Sequence, residues 1–373
     1  MAEAPASAAT HAGRLFDAYV FVDWSGRAAP SPRLESADAI WVGELVRAGP
    51  GGPFAAGTQT ETDTDTEKYF STRCAAGAHL EGRLVAHVRL GRRVLIGFDL
   101  PYGYPAGFAA CLGARPGEPA WPFVWQTIAS LVRDAPDNQN NRFEAAAALN
   151  ERVRGRHAPG PFWGAPVGTA ISSLSRFRPP FPFATGSGTE LAALRLGERR
   201  LRVQEAWKLY GAGSVGSQAL LGLPWLARLR WHPELAAVSR VWPFETGFAC
   251  PAPAGAFVLH VEIWPGIVDA AVRAAATGIR DRDQVRAMAR WAAEQDAAGG
   301  LATYLGRPGE LDDDQLRVCI AEEGWVFGLH PRAVERTRPP TRGQPADGRP
   351  RNRPGRPTRS GGGDVGTSLS RWS

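Results

Sequence analysis

The chain has 373 residues, of which 44% are hydrophobic and 21% charged, with 13 Trp, a globular composition able to bury one large core or two modest ones. No run approaches the roughly 18 apolar residues of a membrane helix, and the opening MAEAPASAATHAGRLFDAYV lacks the apolar stretch of a secretory signal, so the chain reads as cytoplasmic with no membrane partner. Cys74, Cys111, Cys250 and Cys319 stand far apart, which argues against a disulfide framework and a zinc knuckle.

The net charge of +6 is unevenly placed. Residues 331–373 hold ten Arg against Glu335, Asp347 and Asp364, which leaves −1 for residues 1–330. The basic segment is rich in Pro, Gly and Arg and has almost no apolar residue, the composition of a disordered tail. Residues 1–17 read as a flexible start and 18–330 as a single domain. The basic tail can grip nucleic acid through phosphates, or be no more than a solvated extension.

Taken in chain order, YVFVDWSG (Tyr19–Gly26) is a buried strand that ends in Asp23 and turns at Ser25 and Gly26. AIWVGELV (Ala39–Val46) is a second strand, and the Thr- and acid-rich stretch that follows reads as a polar connection. A capping pattern at Thr66 opens a helix running to about Leu90. RRVLIGFDLPYGYP then repeats the first design: an apolar run, Asp99 at its end, a tight turn. Helical patterns follow over 121–134 and 141–154, and the Gly-, Pro- and Phe-rich segment from 155 opens an insert of helical and irregular structure to about 230. A helix is expected from Glu198 to Leu209. GAGSVG fits GxGxxG but follows helical WKLY rather than a buried strand, so it reads as a phosphate-approaching loop with Lys208 before it and Gln218 after, or as an ordinary turn. SRVWPFE and AFVLHVEIWPG are late strands, the second ending in Glu262; IRDRDQVRAMARWAAEQD is a helix with Asp281 and Asp283 in its first turn, and a last helix over 312–322 precedes EEGWVFG.

One strand-end Asp is ordinary turn chemistry. Two such strands lying parallel at about 4.8 Å spacing bring Asp23 and Asp99 close enough to share a divalent cation, and without one their repulsion raises a pKa. The motifs YVFVDWSG, VLIGFDLPYGYPAGF, NRFEAAAALN, HVEIWPG and EEGWVFG resemble, in this order and over residues 18–328, a family of predicted ribonuclease-H-like nucleases of unassigned cellular role. The resemblance implies an α/β fold whose mixed sheet begins with an antiparallel hairpin and continues with parallel strands, flanked by helices. It also implies Asp23, Asp99 and Asp283 as catalytic ligands of Mg²⁺ or Mn²⁺, with Glu262 as a fourth, in a Holliday-resolvase-like arrangement that hydrolyses phosphodiesters of a nucleic acid or nucleotide. Arg142, Lys208, Ser25, Gly26 and Gln218 are candidates for substrate phosphate contacts. Two alternatives stay open: a phosphate- or nucleotide-binding protein akin to actin and sugar kinases, whose first strand ends in a loop not unlike DWSG, or a non-catalytic accessory of cofactor or nucleotide metabolism.

Overall fold

The computed structural model describes residues 14–48, 63–155, 159–211, 213–275 and 277–329. Most of the expected flexible start, the connection over 49–62 and the basic tail lie outside the described residues. The strands are β1 (Ala18–Asp23), β2 (Ile40–Val46), β3 (Thr64–Phe70), β4 (Arg93–Phe98), β5 (Phe183–Ala184), β6 (Glu190–Leu191), β7 (Ser239–Val241), β8 (Phe257–Ile263) and β9 (Val326–Phe327). The helices are α1 (Arg73–Arg89), α2 (Phe108–Leu112), α3 (Ala120–Leu131), α4 (Arg142–Val153), α5 (Leu196–Leu201), α6 (Val215–Arg230), α7 (Asp269–Ala275), α8 (Arg280–Ala297), α9 (Leu301–Leu305) and α10 (Asp313–Val318).

The main sheet has the order β3-β2-β1-β4-β8-β7, with β9 alongside β8. Its first three strands are antiparallel and the rest are parallel to β1, an α/β fold with a mixed sheet. Strand alternation feeds two cores. Val20, Val22, Ile96 and Phe98 face α1, α3 and α6 through Leu80, Leu84, Trp125, Ile128, Leu220 and Leu223. Tyr19, Phe21, Leu95 and Val261 face α8 through Met288, Ala289 and Ala292. Among the described residues no helix is long and apolar enough to cross a membrane.

Three expectations are corrected. The Thr- and acid-rich segment is not all loop: TDTEKYF is the edge strand β3, paired with β2 in the register Val42 to Lys68. Its alternation serves an ionic face, where Glu67 pairs with Arg286 and Asp65 with Arg290 of α8. The helix after it is capped by Thr72, not Thr66, with the Thr72 hydroxyl accepting from the Ala75 N–H. The helix expected over 198–209 ends at Leu201, where Arg202 takes a left-handed φ of 56°. Tertiary burial overrides the helical pattern beyond that point: Trp207 enters an aromatic cluster with Tyr104, Phe108 and Phe162, and Lys208 forms a parallel bridge to Trp163. GAGSVG therefore follows an extended segment after all, and leads into α6. That extended segment is a single bridge outside the main sheet, so the dinucleotide-binding context is still missing.

α8 crosses the β1–β2 face at Gly43, where a Cβ would stand 2.7 Å from the backbone carbon and oxygen of Val285. Its far end is tied by Asp296, whose carboxylate accepts the N–H groups of Leu15 and Phe16 and the Tyr19 hydroxyl. Gly43→Ala should therefore push α8 off the sheet and destabilise the protein by about 1–3 kcal/mol, the usual cost of overpacking. Gly82→Ala, in α1 with nothing within 4 Å of the added carbon, should be neutral or slightly stabilising. Urea unfolding midpoints of the two variants check this.

Candidate active site at the strand ends

β1 and β4 run parallel with Val22 opposite Phe98, so the next residues, Asp23 and Asp99, leave the sheet side by side at its C-terminal edge. Both sit at positions of α8-facing parity, continuing Tyr19–Phe21 and Leu95–Gly97. The two carboxyls share a side-chain hydrogen bond, and Asp99 Oδ1 also accepts the Trp24 N–H at 2.7 Å. Both residues are half-buried, so each keeps an edge toward solvent. Asp281, in the first turn of α8, lies in the same electrostatic field, with its Oδ2 accepting the Asp38 N–H at 2.7 Å.

Among the described residues no cation pairs with Asp23 or Asp99, and Arg280 acts on Asp281 alone of the three. Burial, then repulsion from Asp99 and Asp281, pushes Asp23 well above the usual carboxylate range. Burial also lifts Asp99 to about 8, against the opposing pull of the Trp24 N–H. Asp281 is raised as well, by burial first. At neutral pH the pair thus retains a proton that belongs to both carboxyls together.

The other two expected acids are elsewhere. Asp283 is two residues along α8 from Asp281, about 200° around the helix axis. Its carboxylate is buried in the preceding turn, accepting the Thr277 N–H at 3.1 Å and the Thr277 hydroxyl at 2.6 Å. Glu262 is opposite Phe98 in register and shares its parity, which directs it to the sheet face away from α8. There Arg195 grips it with two bonds of 2.8 and 2.6 Å, and the Tyr102 N–H adds a third. Arg195 also binds Glu198 and the Glu323 carbonyl. Glu262 thus fastens the insert to the sheet, and Asp283 closes a turn.

Of the expected phosphate contacts, four meet around the Asp23 turn. Gly26 is pressed against α6, where a Cβ would lie 3.2 Å from Ser217 Cβ. Gln218 donates to the Trp24 carbonyl at 2.6 Å, and Ser25 is buried with its hydroxyl toward the Asp38 carbonyl. Arg142 reaches in from α4, its Nε donating to Ser217 Oγ at 3.0 Å. Lys208 lies at the insert side of α6, its ammonium 5.8 Å from the Trp163 ring centre. Beneath the turn is Arg73, fully buried, donating to the Ser25 and Arg27 carbonyls and pairing with Asp134. Arg73 and Asp38 are missed by sequence reasoning, and neither carries a distinctive pattern. The choice of Asp281 over Asp283 was legible: Asp281, Val285, Met288 and Ala292 fall on one helical stripe, the one that meets the sheet.

Among the described residues no group of three or more His, Cys, Asp and Glu is gathered closely enough to hold a metal ion. Two hard carboxylates nonetheless suit Mg²⁺ or Mn²⁺, which commonly take one or two carboxylates and fill their shells with water and phosphate oxygens. The donor set fits a cation completed by substrate and water, not a cage made by protein alone. No protein family, curated protein or solved structure matches the chain.

Two expectations follow from this geometry. Asp99 has a folded pKa above its unfolded value, so the folded state binds the extra proton, and stability falls as pH rises from about 4 toward about 8. Asp99→Asn, which still accepts from Trp24, should flatten that fall and be more stable than the parent at pH 8; chemical denaturation from pH 4 to 9 measures it. Glu262→Gln should cost near the lower end of about 3–5 kcal/mol, because Glu198 still faces the Arg195 charge.

Proposed function

We propose that the protein is a divalent-cation-dependent phosphodiester hydrolase of the ribonuclease-H-like kind, acting on a nucleic acid or nucleotide. The observation that carries the reading is the pair Asp23 and Asp99, delivered by adjacent parallel strands to one edge with their charge uncompensated. The sheet order, an antiparallel β3-β2-β1 followed by parallel strands, supports it, being the order the resemblance implies. Asp281 takes the place first given to Asp283.

In this reading Asp23 and Asp99 hold Mg²⁺ or Mn²⁺, which would polarise the phosphoryl oxygen and lower the pKa of a bound water. The chain's own part is positional. The Trp24 N–H fixes one oxygen of Asp99, leaving its other oxygen and Asp23 toward the crevice. Asp281, anchored by the Asp38 N–H, presents a carboxylate able to accept a proton from an attacking water. The proton held between Asp23 and Asp99 must leave before a cation enters, so cation affinity rises with pH.

The same shared proton favours a second reading, an aspartyl pair acting as general acid and base without metal. Thermal melting and hydrolysis of fluorescently labelled DNA and RNA oligonucleotides, each in EDTA and in millimolar Mn²⁺, separate the two. The cation reading expects Mn²⁺ to raise the melting temperature by several degrees, more at pH 8 than at pH 6, and expects Asp23→Asn and Asp99→Asn to lose most of that rise together with hydrolysis. Hydrolysis undiminished in EDTA would establish the metal-free pair instead, and no Mn²⁺ effect on either measurement would exclude the cation.

A further inference from the structure

Of the two buried cations behind the Asp23 turn, Arg73 is paired with Asp134 and Arg142 lacks an ion-pair partner among the described residues. Arg142 is only 9% exposed, yet among the described residues no carboxylate lies within ion-pair distance of it. Its Nε and one Nη bind neutral oxygens, Ser217 Oγ at 3.0 Å and Asn140 Oδ1 at 2.9 Å. Its second Nη has no hydrogen-bond partner among the described residues and is not sealed from solvent, and the guanidinium carbon lies 4.3 Å from the centre of the Phe143 ring. The neighbouring guanidinium makes matters worse: Arg73 takes the carboxylate of Asp134 in a bidentate pair, and Glu144 acts on Arg142 through space without an ion-pair contact. Burial first, and Arg73 second, depress the Arg142 pKa. A cation at the start of α4 also opposes that helix's dipole. A buried charge kept in this state is costly unless an anion completes it.

The surroundings suit an anion. Ser217 is in the first turn of the 16-residue α6, where the Val215 and Gly216 amides are bound to the Gly213 and Lys208 carbonyls; its hydroxyl accepts from Arg142 Nε and donates to the Leu209 carbonyl at 2.6 Å. Gly26, three residues beyond Asp23, rests on Ser217. Tyr210, 56% exposed, stands within electrostatic range of Arg142 at the rim.

We propose that Arg142 and the Ser217 turn of α6 form a phosphate subsite that seats a phosphate group of the substrate beside the Asp23–Asp99 pair. The free Nη donates a charge-assisted hydrogen bond to a phosphate oxygen while Ser217 and Asn140 hold the rest of the guanidinium in place. This deepens the phosphodiesterase reading and rests on it for the identity of the substrate; the binding of phosphate itself does not depend on metal or on hydrolysis. The negative pair and the positive fork stand on either side of Trp24–Gly26, so a strand crossing that turn meets an attractive contact before it meets the carboxylates.

The test is titration of the full chain in EDTA with inorganic phosphate, adenosine 5′-monophosphate and a short oligothymidylate, read by melting temperature and by calorimetry. A saturable rise with at least one probe is expected, and the probe bound most tightly tells whether the site takes free phosphate or a nucleotide strand. Arg142→Gln, which removes an unpaired buried cation and so should fold, is expected to weaken binding at least tenfold. Arg142→Lys, which keeps the charge and loses the free Nη and the bonds that orient it, should weaken it severalfold. Asp99→Asn should leave it unchanged or tighten it. Binding of none of the three probes, or equal affinity in either Arg142 variant and the parent, would overturn the subsite. A Mn²⁺ response that persists in that case leaves the hydrolase reading standing, and phosphate binding without any Mn²⁺ response would do the reverse.

Discussion

The parallel register of β1 and β4 is the constraint on which the site depends. Val22 lies opposite Phe98, and each strand ends one residue later in a carboxylate of the same parity. A slip of one residue would send one of the two acids into the aliphatic core on the other face, beside Leu80 and Trp125. The register is held because both faces of both strands are buried: Val20, Val22, Ile96 and Phe98 have no alternative on one side, nor Tyr19, Phe21 and Leu95 on the other. Apolar packing thus holds together two like charges that would separate if left to themselves.

The remaining elements respond to that juxtaposition. α8 brings a third acid close while its arginines pair elsewhere: Arg280, which also acts on Asp281, with Asp269, and Arg282, Arg286 and Arg290 with Glu35, Glu67 and Asp65. The positive groups behind this edge come from the opposite face: Arg73 stops at the backbone of the Asp23 turn and Arg142 at the Ser217 hydroxyl. Glu262 is neutralised within the buried Arg195 group and contributes nothing to the negative field in front. Charge at the sheet edge is therefore sorted by strand parity.

Much of this organisation could be read from the residues. Short apolar runs with a terminal carboxylate located β1, β4 and β8, because strands buried on both faces need continuous hydrophobicity. What the pattern did not disclose was parity relative to a partner: Glu262 ends its run as Asp99 does, but one step out of phase in the paired register. For the same reason β3 was hidden, since Thr64–Phe70 has the composition of a solvated loop and becomes a strand only because β2 and the arginines of α8 are there to meet it. Arg142 was singled out from its unfavourable place at a helix start, a local conflict of the kind that marks places where something other than stability is at stake.

Asp281 and Asp296 give α8 a second character. Fifteen residues apart, they span about 22 Å at 1.5 Å per residue. β1 with its approach, from Phe16 to Asp23, covers about 23 Å as extended chain. One helix therefore touches both ends of the strand it crosses, at Asp296 with the Leu15 and Phe16 amides and at Asp281 beside the Asp23 turn. Helix and strand act as matched rulers laid in opposite directions. An insertion or deletion between the two aspartates would turn one by about 100° relative to the other, so the length of α8 is held to a tolerance of less than one residue while its solvent-facing side chains are free to vary.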